Sequence, residues 1–198
     1  MQETPVEMPC PVCHKSGNLF MIAHVDEIPY FGEHTQVTVM CHDCGWKQTD
    51  FIPAEGKKAG CWSLKISDEK QLNSRIVRSS SCTISIPELD LQVNPGSNAT
   101  GYVSNVEGVI NRFIEIVRVV LRDLVDEQDK DEEDIQRLTY FITSLENAGK
   151  DDNNQITLEL LDPHGHSMIV DSDAKERDLT EDELNSLPIG PDPAVFSK

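Results

Sequence analysis

Cys10-Pro11-Val12-Cys13 and Cys41-His42-Asp43-Cys44-Gly45 face each other across the 27 residues 14–40. A two-residue gap lets both thiolates of one tight turn reach the same ion at about 2.3 Å, and two such turns complete a tetrahedral four-sulfur shell. A redox Cys-x-x-Cys or a pair of disulfides would be the alternatives. Two facing pairs at this spacing point instead to a zinc ribbon, with Cys10, Cys13, Cys41 and Cys44 holding one structural Zn2+. Four sulfurs leave no open position, so the ion is not expected to activate water or polarise a substrate. Pro11 and Gly45 suit the turns, because proline presets one dihedral and glycine tolerates positive φ.

Working outward, Asn18 to Val25 is an apolar run of strand length, and Thr35 to Met40 alternates and is rich in β-branched residues. These read as the two strands that bring the knuckles together. A unit of this size holds little core, so the metal should supply most of its stability, about 10–16 kcal/mol of apparent binding energy in comparable peptides. Between the strands stands Ile28-Pro29-Tyr30-Phe31-Gly32. Its apolar side chains read either as a plug against the next domain or as an exposed contact for a partner, since aromatics dominate such contacts. Ile28, Tyr30 and Phe31 are therefore the candidate partner-binding residues. His14, His34 and His42 lie near the knuckles but are not needed as ligands beside four cysteines.

Phe51 to Gly60 has the proline and glycines of a linker, and strand signals follow it. Cys61–Ile66, Arg75–Val77, Cys82–Ile86 and Leu89–Val93 all read as strands, and alternation puts Cys82, Ile84 and Ile86 on one core face. The period then changes. Ser104-Asn105-Val106-Glu107 has the form of a capping box, and apolar residues recur at helical spacing from Val106 to Leu124. A charged turn leads to a second stripe, Ile135 to Leu145, with Gly149 as its C-terminal cap. Internal packing is the expected role of both stripes. Ile156–Leu161 and His166–Val170 return as strands around Asp162-Pro163-His164-Gly165. Asp162, His164 and His166 invite a metal site, but Asp-Pro and glycine are ordinary turn residues, and a hairpin turn is the reading taken. Thr180-Glu181-Asp182-Glu183 offers a further capping box for a short helix ending near Pro188. The expected division is a ribbon at 1–53, an all-β domain at 54–172 with a helical hairpin inserted at about 104–148, and an acidic tail at 173–198.

The totals exclude several classes. The 198 residues carry 35 acidic and 17 basic side chains, a net charge of -18. Ribbons that bind nucleic acid rely on lysine and arginine to neutralise phosphate. This charge should repel nucleic acid and anionic membranes and attract a basic protein; the other readings are that it only maintains solubility or reflects a high-salt habitat. Lys15, Lys47, Lys57 and Lys58 are the few residues that would support the alternative of a nucleic-acid-binding or transcription-associated ribbon. No apolar run has transmembrane length and Met1 to Pro5 does not read as a signal peptide. Six cysteines, four in knuckles, suit a reducing, cytoplasmic compartment, with Cys61 and Cys82 as buried thiols. An enzyme on the β domain would need a wider cluster of His and carboxylate ligands than the one turn at Asp162.

The ordered series of motifs resembles the ZPR-type zinc-finger protein family. It comprises the two knuckles with Ile28-Pro29-Tyr30-Phe31 between them, Arg75-Ile76-Val77-Arg78-Ser79 leading to Ile86-Pro87-Glu88-Leu89, Val106-Glu107-Gly108, and Asp162-Pro163-His164-Gly165-His166-Ser167-Met168-Ile169. His166 stands where the family usually has asparagine. The resemblance implies a mainly β fold with α: an N-terminal four-cysteine zinc ribbon followed by an all-β domain, similar to a double-stranded β-helix or jelly roll, with a helical-hairpin insertion. It also implies a non-enzymatic partner or folding chaperone of translation elongation factor 1-alpha, a GTPase. Eukaryotic members carry tandem copies of ribbon plus β domain. The single copy here looks like the archaeal form and is expected to act as a monomer.

Overall fold

The computed structural model describes residues 3–28, 32–53, 58–126, 132–150 and 155–188. The first sheet is built on the knuckle cysteines. Strands β1 (Thr4–Pro5), β2 (Leu19–Ile28), β3 (Gly32–Cys41) and β4 (Lys47–Pro53) pair antiparallel in that order. β2 and β3 run in register from Leu19 opposite Cys41 to Ile28 opposite Gly32. Leu19 and Cys41 are buried beside Cys10, with Val6, Val39 and Trp46 packed around them. β4 corrects the reading of Phe51–Gly60 as a linker, because Phe51, Ile52 and Pro53 continue the strand opposite Gln36, Thr35 and His34. Its polar start, Lys47-Gln48-Thr49-Asp50, hides the strand from any hydrophobic period.

The second unit has two facing sheets. Strands β5 (Gly60–Ile66), β6 (Arg75–Arg78), β7 (Thr83–Ile86), β8 (Leu91–Val93) and β9 (Tyr102–Asn105) precede the helices α1 (Val106–Asp126) and α2 (Glu132–Glu146). Strands β10 (Ile156–Asp162), β11 (Met168–Val170) and β12 (Lys175–Asp178) follow, and α3 (Glu181–Ser186) is the last helix among the described residues. The five-stranded sheet has the order β12-β5-β10-β7-β8, and the three-stranded sheet β11-β6-β9. All pairings are antiparallel, as a jelly roll requires. Alternate residues of the larger sheet such as Leu64, Ile66, Ile84, Ile86, Leu158 and Leu160 share one core with Ile76 and Ile169 of the smaller, and Val109, Ile110 and Phe113 of α1 complete it. Each such side chain contributes roughly 1.5–3 kcal/mol by leaving water.

The helix start differs from the sequence reading. Ser104 lies in β9, and the cap is Asn105, whose Oδ1 accepts the amide of Gly108 at 2.8 Å. A Cβ on Gly108 would crowd Ser104 Oγ and that Oδ1, the latter at 2.9 Å, so a larger residue here would have to displace the capping side chain. The stretch from 173 also does more than trail: β12 pairs with β5, and α3 carries the expected capping box between Thr180 and Glu183. Leu187 and Leu179 then bury Cys61 and Leu161 on the outer face of the sheet.

Candidate metal centre

Each cysteine pair sits on a short turn at one end of the first sheet. In the first, Cys10 accepts the amide of His14 at its carbonyl (2.9 Å), and its Sγ accepts the amide of Val12 at 3.4 Å. In the second, the Cys41 carbonyl accepts the amide of Gly45, also at 2.9 Å. The residue after each second cysteine is left-handed: His14 at φ 58° and Gly45 at φ 76°. The turns are therefore copies of one another, although only one has glycine at the position that favours it.

The four Sγ atoms all lie within 4.8 Å of one another. Cys10 and Cys44 are 3.7 Å apart at sulfur, as are Cys13 and Cys41. A tetrahedron of sulfurs about 2.3 Å from its centre has edges of about 3.8 Å. The residues thus fit one zinc ion, and none of the six cysteines is in a disulfide. The electrostatics agree. Burial opposes ionisation of Cys10, but amides of Cys13 and Val12 outweigh it and bring the thiol down to about 7. At Cys44 the Trp46 amide favours the thiolate, yet burial and the three neighbouring sulfurs push the thiol up to about 12. Four thiolates repel without a cation between them, and a divalent ion removes that cost. No histidine joins this cluster among the described residues: His42 contacts Glu3 at 3.2 Å and His34 contacts the Gly32 carbonyl.

Ile28, the last residue of β2, is half-buried at the opposite end of the hairpin from the metal. Tyr30 and Phe31 lie outside the described residues.

Sequence reasoning missed a second polar feature. Ser79, Ser80 and Ser81 lie between β6 and β7 and are fully buried. Asp162 accepts from Ser79 Oγ, Ser81 Oγ and Ser167 Oγ, each at 2.7 Å, and from the amides of His164 and His166 at 3.0 Å. Burial alone would raise its pKa, but these donors hold it below the usual carboxylate value. The turn reading of Asp162-Pro163-His164-Gly165 agrees with the amide of Gly165 donating to the Asp162 carbonyl. The sequence signal for the rest is the run of three serines, whose polarity gives no sign that they are buried.

A family model, the ZPR1 jelly-roll domain, matches residues 70–186. A ZPR1-like protein of Pyrococcus horikoshii is 37% identical over 92% of this chain and 80% of its own length. A second, from Methanocaldococcus jannaschii, is 38% identical over 95% of this chain and 92% of its own. A protein named zinc finger chaperone zpr1, from Schizosaccharomyces pombe, is 30% identical over 67% of this chain and 27% of its own length.

Proposed function

The chain belongs to the ZPR1 family, and from that premise we propose that it is a protein-binding chaperone of translation elongation factor 1-alpha, held in shape by zinc and without catalysis of its own. The observation that carries this reading is on the helical hairpin. The base of α1 packs into the core, but Ile116, Val119 and Val120 are 48%, 48% and 44% exposed, at spacings that share one side of the helix. Tyr140 on α2 is 60% exposed. Internal packing thus does not account for the outer part of these stripes, and clustered apolar surface is what a partner covers.

Charge supports the choice of partner. A net charge of -18 favours encounter with a basic, tRNA-binding factor and disfavours nucleic acid itself. Tyr30 and Phe31, with Ile28, are proposed as a second contact, since an aromatic pair beside proline is typical of binding hot spots.

The experiment mixes zinc-loaded protein with elongation factor 1-alpha from the same organism in GDP, GTP and nucleotide-free states. Binding strongest to the nucleotide-free form is expected, with at least a tenfold loss for the double change Val119→Ser and Val120→Ser. No binding in any state removes this partner.

A further inference from the structure

Beneath the base of α1, a cavity of about 490 Å³ opens between the helix and the strands of the jelly roll. That volume is in the range of small-molecule sites. Val93 of β8 and Val109 and Phe113 of α1 give it apolar walls. Its polar groups are mostly hydrogen-bond donors. Arg78, at the end of β6, is 6% exposed, and its Nη groups donate to the carbonyls of Thr100 (3.3 Å) and Cys82 (2.7 Å). Its Nε is buried and has no acceptor among the described residues. Arg112 of α1 lies 3.9 Å above the Tyr102 ring, and Arg78 lies 5.7 Å from the same ring. Neither arginine makes an ion pair among the described residues, in a chain with twice as many acids as bases. Asn94 on the rim already accepts at Oδ1 from Gln92 Nε2 and Thr83 Oγ1, at 2.6 and 3.3 Å, which leaves its amide hydrogens uncommitted.

A stacked arginine and tyrosine could be purely structural. Three further features are not explained that way: a buried guanidinium with an unaccepted N–H, an exposed second one without a counter-ion among the described residues, and an exposed amide with uncommitted hydrogens, all on one cavity. Arg78 Nε is buried, so its N–H costs free energy unless something accepts from it, whereas Arg112 and Asn94 are exposed and offer their donors to an incoming ligand. The accepting group is expected to be planar and singly charged. A guanidinium matches a carboxylate with two parallel hydrogen bonds. Glu115, exposed on the same lining, disfavours a multiply charged phosphate.

We propose that this cavity binds a carboxylate borne on a small apolar body, the acid held by Arg112 and Asn94 and the body resting on Val109 and Phe113. The source is either a free organic acid or the C-terminal residue of a peptide. The cavity borders the exposed side of the hairpin proposed for the protein partner and shares Ile116 with it, but its test reads acid binding and needs no protein partner.

The test is an amide NMR titration of the zinc-loaded full chain with 4-phenylbutyrate and with 4-phenylbutanamide, which lacks the charge. Saturable shifts at Tyr102, Val109 and Phe113 are expected for the acid, with at least tenfold weaker binding of the amide. Arg112→Gln should weaken acid binding at least tenfold while zinc content and distant signals stay unchanged. A parallel arm uses acetyl-Leu-Phe with a free or amidated C-terminus. Tighter binding by either free carboxylate supports the proposal and identifies the source. Equal binding of acid and amide, shifts that map elsewhere, no saturable shifts, or indifference to Arg112→Gln overturns it.

Discussion

Asp50 of the zinc-bearing sheet and Ser80 of the jelly roll are joined twice. The Ser80 amide donates to Oδ1 at 2.9 Å, and its hydroxyl donates to Oδ2 at 2.5 Å. Both residues are buried. Beside them the amide of Gly101 donates to the Thr49 carbonyl at 2.8 Å, and a Cβ on Gly101 would approach Asp50 Oδ1 to 2.8 Å. The two sheets therefore meet through a buried polar seam in which one carboxylate satisfies backbone and side chain together.

Removing that carboxylate should be costly. Asp50→Ala leaves the Ser80 amide buried without an acceptor, and a loss of about 1–3 kcal/mol is expected from denaturant unfolding. Ser80→Ala removes one hydroxyl and should cost about 1 kcal/mol. An Asp50→Ala loss below about 0.5 kcal/mol would mean that water enters the seam.

Zinc removal should act locally. The chain should bind one zinc by elemental analysis, since its four ligand sulfurs form one cluster. A chelator should strip amide protection from β2 and β3, while β5 and β10 keep theirs, because the jelly-roll core contains no metal ligand. Simultaneous loss in both sheets would show that they unfold as one unit rather than dividing near residue 53.

The knuckle turns give a pair of opposite effects. His14 occupies the left-handed position that Gly45 fills in the other turn. His14→Gly should raise zinc affinity in a competition assay by up to about 1 kcal/mol, and Gly45→Ala should lower it by about as much. Equal and same-signed effects would mean that the two turns are not equivalent.

Acid should weaken the fold in two steps. Burial lowers the His166 pKa from 6.5, although Asp162 and Asp50 pull it up. The unfolded chain then binds the proton more readily, so this contribution is complete above pH 6.5 and is lost as pH falls through the lowered value. Asp162, held below 3.8, contributes stability that is present above that pH and is lost on further acidification. Unfolding curves of wild type and His166→Asn should differ in slope just below pH 6.5. Parallel curves across the first window would remove His166 as the titrating group.

Much of the local structure was legible because it repeats short rules. Cys82, Ile84 and Ile86 alternate and are all buried; Thr180 and Glu183 form the capping box their spacing implies. The misreadings share a cause. β4 begins with Lys47-Gln48-Thr49-Asp50, and its stability comes from pairing with β3 and from Ser80, thirty residues beyond Asp50, so no local period marks it. Ser104 and Asn105 are both good caps, and only the path of β9 decides that Asn105 takes the role.

The sequence by itself determined the strand–helix–strand order and the charge, and it pointed to the four cysteines that the fold brings together. Each depends on neighbours within a few residues or on a simple sum. Tertiary structure alone decided that Ser79, Ser80 and Ser81 are buried donors, that Asp162 is a hub charged below its usual range, and that Arg78 and Arg112 flank one tyrosine above a cavity. Those residues are polar and look solvated in sequence. Their roles come from partners up to 88 positions away, as between Ser79 and Ser167, and a long-range hydrogen bond leaves no periodic trace in the chain.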